Sequence, residues 1–176
     1  MKLLITTQSV DKNDPILAFV LGWIEEFAKH FESVYVICLR EGVHSLPSNV
    51  HVYSLGKETG ENRLKYVLRF YRFFGKIFFT GKIDFVFFHM GAIYNILALP
   101  FFFVRKFFGT TFYWWKAHGH INFWGKCALV FVDRVYTSTE SGFPIDTRKR
   151  HVIGQAINAK KFVFASKDRE KEIIFV

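Results

Sequence analysis

Apolar positions fall along this chain in two alternating kinds of run, short continuous ones and longer ones spaced three and four apart. Residues 2–6 form a short apolar run without helical period, and a polar loop over 7–14 follows, the pattern of a buried strand feeding a helix. Asp14 is placed to cap that helix and Pro15 to take its first position. Behind them Ile16, Val20, Trp23, Ile24, Phe27 and Phe31 recur at helical spacing, with Glu25, Glu26, Lys29 and His30 between them. Strands are predicted over 34–39 and 50–55, separated by the turn-prone Pro47-Ser48-Asn49. A helix over 61–79 ends at Thr80-Gly81. A nearly continuous apolar strand over 83–88, a helix over 92–108 kinked near Pro100, and a strand over 110–115 come next. A helix over 123–132 and strands over 134–138 and 151–153 complete the alternation, before an irregular stretch over 154–164. Strands alternating with helices imply parallel pairing through right-handed crossovers. The expected fold is therefore α/β, a doubly wound, mainly parallel Rossmann-like sheet with helices on both faces.

Composition narrows this picture. At 176 residues the chain can bury one good core, and 51% hydrophobic content with 23 Phe excludes intrinsic disorder. The polar run 166–172 followed by apolar 173–176 reads as a connector entering a new strand. We therefore expect a first domain over 1–165, and in 166–176 the connector and first strand of a second domain. Lys and Arg number 24 against 15 acidic residues, a balance that favours nucleic acid, anionic lipid or phosphorylated substrates as partners. Cys38 and Cys127 are far apart in apolar stretches and read as free thiols of a reducing compartment, hence a cytoplasmic protein. The N-terminal apolar run is too short for a signal-peptide core. The uncharged stretch 85–104 is interrupted by His89, Gly91, Asn95 and Pro100, which suits strand, turn and helix better than a membrane span.

Open parallel sheets bind ligands outside the carboxyl ends of their strands, so the residues that follow each strand are the site candidates. They are Thr7, Gln8 and Ser9 after the first strand, His89 after the fourth, Lys116, His118 and His120 after the fifth, and Ser138, Thr139 and Glu140 after the sixth. Loops are polar in any case, but His118 stands out. It lies in Lys116-Ala117-His118-Gly119-His120, where small neighbours allow close approach and the imidazole can donate to a phosphate or sugar oxygen or exchange a proton. Three histidines without a clustered cysteine or carboxylate do not complete a zinc site, so no metal is expected. The first loop lacks the glycines that a dinucleotide pyrophosphate requires.

The helix over 61–79 carries a basic stripe of Lys65, Arg69, Arg72 and Lys76. Beside it run Tyr66, Phe70, Phe73 and Ile77, while Leu64, Val67, Leu68, Tyr71, Phe74 and Phe78 are expected to face the core. The flanking apolar stripe packs either on the helix over 92–108 or on lipid; in the latter case the four cations bind an anionic membrane surface. No base-reading motif accompanies the stripe, so nucleic acid is not expected.

The element order resembles the N-terminal domain of the family 4 glycosyltransferases, retaining enzymes of the GT-B fold. The resembling strings are Lys2-Leu3-Leu4-Ile5-Thr6-Thr7, the strand ending at His89, the post-strand His118, Val135-Tyr136-Thr137-Ser138-Thr139-Glu140-Ser141, and Val152-Ile153-Gly154-Gln155-Ala156-Ile157-Asn158 with Phe162 behind it. The resemblance implies transfer of a sugar from a nucleotide-sugar to an acceptor hydroxyl of a glycan or glycolipid, without a cofactor or catalytic metal. It places His118 as the catalytic residue near the transferred sugar, Gln8 and Ser9 in the first loop, and Ser138, Thr139 and Glu140 towards the acceptor; His89 and His120 complete the substrate-binding candidates. The first loop departs from the family by reading Asp11-Lys12-Asn13-Asp14-Pro15 where many members carry glycine. Most of the donor is held by a C-terminal domain in that family, so this chain alone is expected to be inactive and to need that domain in cis or in trans. The alternative is a non-catalytic module on the inner face of the cell membrane that reuses the fold.

Overall fold

The computed structural model describes residues 1–60 and 62–155. Seven strands, β1 (Lys2–Val10), β2 (Ser33–Glu41), β3 (Val50–Ser54), β4 (Phe85–His89), β5 (Thr111–Trp115), β6 (Arg134–Thr137) and β7 (Arg150–Val152), form one sheet in the order β3-β2-β1-β4-β5-β6-β7. Every pairing is parallel. The order reverses at β1, which has β2 on one side and β4 on the other, so the switch point of the sheet lies between β1 and β4.

Helix α1 (Phe19–His30) covers one face. The other carries α2 (Arg63–Gly81), α3 (Ala92–Leu97), α4 (Leu99–Phe108) and α5 (Phe123–Val130). Two cores follow from this division. Leu3, Ile5, Val34 and Val36 pack beneath α1 with Val20 and Ile24, whereas Leu4, Val86, Phe88, Phe112 and Trp114 pack against α2, α4 and α5. The alternation of strand side chains sends each strand's two parities to different cores.

Three expectations need correction. Residues 7–10 are strand rather than loop: β1 continues beyond its pairing with β4, which stops at Thr6 and Phe88, and runs on beside β2 to Val10 and Glu41. Gln8 and Ser9 therefore stand on a two-stranded ridge. The first helix begins at Phe19, because Asp14 holds a separate turn ahead of it, its Oδ1 accepting the backbone N–H groups of Ile16 at 3.0 Å and Leu17 at 2.8 Å. On α2 the buried face draws on both stripes: Phe74 and Phe78 of the expected core face are buried, together with Phe70 and Ile77 of the flanking stripe, while Leu64, Leu68 and Tyr71 are exposed. Two apolar stripes of similar length lie side by side on this helix, and the sequence pattern does not choose between them. Here Phe74 meets Phe101 of α4 with ring centroids 4.6 Å apart, and Phe78 meets Phe108 at 5.3 Å, so α4 is a second apolar partner of α2.

The expected kink is a break: α3 ends at Leu97 and α4 starts at Leu99, with Pro100 in its first turn, where a missing N–H costs nothing. A bidentate pair ties α4 to the strand layer. The Arg105 guanidinium donates to both Asp133 carboxylate oxygens at 2.8 Å, Asp133 also accepts the Phe112 N–H, and the guanidinium lies over the Phe102 ring at 4.5 Å. Glu61 and the strings over 156–176, with Ile157, Asn158, Phe162 and the expected connector and strand of 166–176, lie outside the described residues.

Candidate active site

The carboxyl ends of β1, β4 and β5 border a cleft of about 340 Å³ on the α3 and α5 side of the sheet. Gln8 reaches it from the β1 ridge; Met90, Gly91 and Ala92 from the turn that joins β4 to α3; Trp114, Lys116, His118 and His120 from β5 and its loop; and Ile121, Asn122 and Gly125 from the start of α5. Asn122 caps α5, its Oδ1 accepting the Gly125 N–H at 3.0 Å. The turn after β4 is tight. Met90 takes a left-handed backbone with φ of 62°, a conformation unfavourable for a residue with a Cβ, and its N–H donates to the Trp115 carbonyl at 2.8 Å.

His118 is exposed, and its Nδ1 accepts the backbone N–H of His120 at 3.3 Å. While Nδ1 accepts, the ring's proton resides on Nε2, so His118 presents an N–H donor. Gly119 between the two histidines is required by packing: a Cβ there would stand 2.9 Å from the Ser141 carbonyl oxygen. The β5 loop and the loop after β6 are thus in direct contact. Burial lowers the Lys116 ammonium from its ordinary pKa, and no described residue pairs with it.

Gln8, Lys116, His118 and His120 are brought together in the cleft; the other sequence candidates are not. His89, of the same strand parity as Phe85 and Phe87, lies beneath α1, only 1% exposed, with its ring edge-on to Phe19 and Trp23 at 5.9 and 5.6 Å. The Thr7 hydroxyl sits 3.0 Å from its Nδ1, and burial pushes its pKa down to about 4. Ser9 is buried at the end of β1 beside the Asp14 carboxylate. Thr139 is engaged in its own turn: its carbonyl accepts the Thr137 hydroxyl at 3.1 Å and its Oγ1 accepts the Gly142 N–H at 3.0 Å. Ser138 is half-buried and Glu140 exposed, and neither lines the cleft. Met90, Gly91, Asn122 and Gly125 escaped the sequence reading, although an Asn immediately before the helix expected over 123–132 was a legible capping signal.

On α2, Lys65, Arg72 and Lys76 are exposed, whereas Arg69 is half-buried and donates to the Leu55 carbonyl at 3.1 Å. No group of three metal-ligating side chains forms among the described residues, and no described helix is long and apolar enough to cross a membrane.

No family model matches the chain, and no curated protein matches it. Solved structures do. The lipopolysaccharide outer core galactosyltransferase WaaB, in its apo form, superposes with a TM-score of 0.59 at 13% identity, over 97% of this chain and 50% of that one. The fold is one half of GT-B. Anabaena HepE in complex with UDP gives 0.60 at 11% identity, covering 91% of this chain and 45% of its own. The UDP-GlcNAc 2-epimerase of Methanocaldococcus jannaschii gives 0.56 at 14%, covering 88% and 45%. The chain thus spans about half the length of the solved structures it matches. In this GT-B half the cleft lies beside the sheet's switch point, where open α/β sheets take their ligands.

Proposed function

We propose that this chain is the acceptor-side half of a retaining, hexosyl-type glycosyltransferase, which moves a sugar from a nucleotide-sugar to an acceptor hydroxyl in cell-surface polysaccharide or glycolipid synthesis. The observation that carries the reading is the gathering of Gln8, Lys116, His118 and His120 in one cleft at the switch point of a GT-B half. In the transfer, the bond from the anomeric carbon to the donor's diphosphate breaks, a bond to the acceptor oxygen forms, and the hydroxyl proton is released. His118, with its proton on Nε2, donates a hydrogen bond to a sugar or phosphate oxygen as charge builds on the leaving group. Most of the donor is held by a second domain, in cis or in trans; neither a cofactor nor a metal is required, and the chain by itself is inactive. WaaB is named a galactosyltransferase and HepE was solved with UDP, which supports a nucleotide-sugar donor.

The test is a nucleotide-sugar screen on the natural full-length protein, read by release of nucleoside diphosphate. One donor is expected to be consumed, and His118→Ala is expected to lower turnover by about 100-fold or more, with Tm moved by less than about 2 °C. Turnover near that of the unaltered protein would remove His118 from the role. Acceptor-independent epimerisation of UDP-GlcNAc, the activity that one solved relative is named for, would replace the reading.

A second reading concerns location. Leu64 and Leu68 on α2, Phe103 and Phe107 on α4, and Phe123 and Trp124 on α5 are exposed on the helix layer, and Lys65, Arg72, Lys76, Lys106 and Lys126 are exposed on the same helices. Large apolar side chains among cations suit the headgroup boundary of an anionic bilayer. We place the protein in the cytoplasm, resting by this layer on the inner face of the cell membrane.

A further inference from the structure

Lys116 is half-buried at the cleft, and no described residue offers it a counter-charge: no ion pair or hydrogen bond reaches its side chain, and burial acts unopposed on its ammonium. A partly desolvated cation without a carboxylate is costly unless a ligand supplies the anion. The rest of the described lining offers no opposing charge. Gln8, His118, His120 and Asn122 supply amides and imidazoles, and none of the described residues lining the cleft is acidic. The indole of Trp114 forms part of the wall, and its Nε1–H is buried without a partner among the described residues. Every described ionisable group that lines the cleft is therefore neutral or positive.

Size restricts the ligand further. About 340 Å³ is at the small end of ligand pockets; it has room for one sugar ring and a charged substituent rather than for a whole nucleotide-sugar. Met90 and Ile121 provide apolar surface on which the C–H face of a sugar can lie. We infer that the cleft recognises a sugar bearing an oxyanion, a phosphate or a carboxylate, with Lys116 as the counter-ion of that group. The inference rests on the sugar-transfer reading for its context and adds to it the class of acceptor.

Binding to the 176-residue chain of α-glucose 1-phosphate, glucuronate, neutral glucose and UDP, followed by calorimetry or by the imidazole signals of His118 and His120, tests it. Both anionic sugars are expected to bind at least about tenfold more tightly than glucose, as a charge-assisted contact implies. Lys116→Gln should abolish that preference and Lys116→Arg should keep it. Equal binding of glucose and glucuronate, no binding of either anionic sugar, or a preference that survives in Lys116→Gln would overturn the inference. So would UDP binding more tightly than either sugar with the same dependence on Lys116; in that case the cleft serves the donor, and the sugar-transfer reading stands. A full-length enzyme that consumes no nucleotide-sugar while this chain still prefers anionic sugars would remove the sugar-transfer reading and leave the inference intact.

Discussion

Two buried or half-buried side chains respond to acid in ways that their surroundings dictate. His89 is held neutral by burial, with a pKa of about 4 against 6.5 for a free histidine. Between those values the unfolded chain binds a proton that the folded one refuses. The stability from this site is therefore complete above pH 6.5 and is lost as the pH falls towards 4, on the order of 3 kcal/mol in all. His89→Gln keeps a polar partner for Thr7 without titrating; its denaturation midpoint is expected to vary much less between pH 7 and 5, as urea unfolding will show. Asp14 obeys the same linkage, although here the form that folding favours is the charged one. The N–H groups of Leu17 and Ile16 first, then the Ser9 hydroxyl and the Arg40 guanidinium, which donates at 2.7 Å, lower its carboxyl to about 2. Its contribution is present above pH 4 and disappears as the pH falls through 2, so Asp14→Asn should lower stability near neutrality by about 1–2 kcal/mol and match the unaltered protein at pH 2. The roles of these residues were unevenly legible. Asp14 was readable as a cap because Asp-Pro before an apolar period has a local meaning. The burial of His89 depends on which face of β4 meets α1, which no local pattern states.

At the scale of elements, the sequence order was legible throughout because a parallel strand buried on both faces is a continuous apolar run, and such runs are distinct from the three-and-four spacing of α1. Orientation was less so. On α2 the choice of buried face is made by tertiary partners, chiefly Phe101 and Phe108 of α4 on one flank and the Leu55 carbonyl that draws Arg69 inwards on the other. The continuation of β1 to Val10 was hidden because Thr7, Gln8 and Ser9 look like a loop until β2 is placed beside them. The clamp between α4 and the loop before β6 can be tested directly. Asp133→Ala strands the Arg105 guanidinium, which is almost buried, and removes an acceptor from the Phe112 N–H. A loss of about 2–3 kcal/mol is expected, seen as a lower denaturant midpoint at unchanged slope. Asp133→Asn, whose single amide oxygen can still accept from the guanidinium and the Phe112 N–H on one side, should recover part of it.

Across the whole molecule the sheet separates two environments, a polar cleft on the α3 and α5 side and an apolar one on the α1 side. For the helix layer, co-sedimentation with vesicles containing phosphatidylglycerol is expected to exceed that with neutral vesicles and to fall with added salt. Phe107→Asp should weaken it, since Phe107 is 88% exposed and its replacement costs the fold little; binding unchanged by that substitution, or equal on neutral vesicles, would remove the membrane reading. On the opposite face α1 leaves a trough of about 460 Å³, walled by Trp23, Phe27, Phe31, Phe87, Tyr113 and Trp115 and reached by Ile153 and Gly154. Within it the Trp23 and Trp115 rings meet edge to face with centroids 5.0 Å apart. Two indoles at that separation couple their ultraviolet transitions, so the trough carries its own optical label: circular dichroism in the aromatic region will register anything that slides between the helix and the sheet.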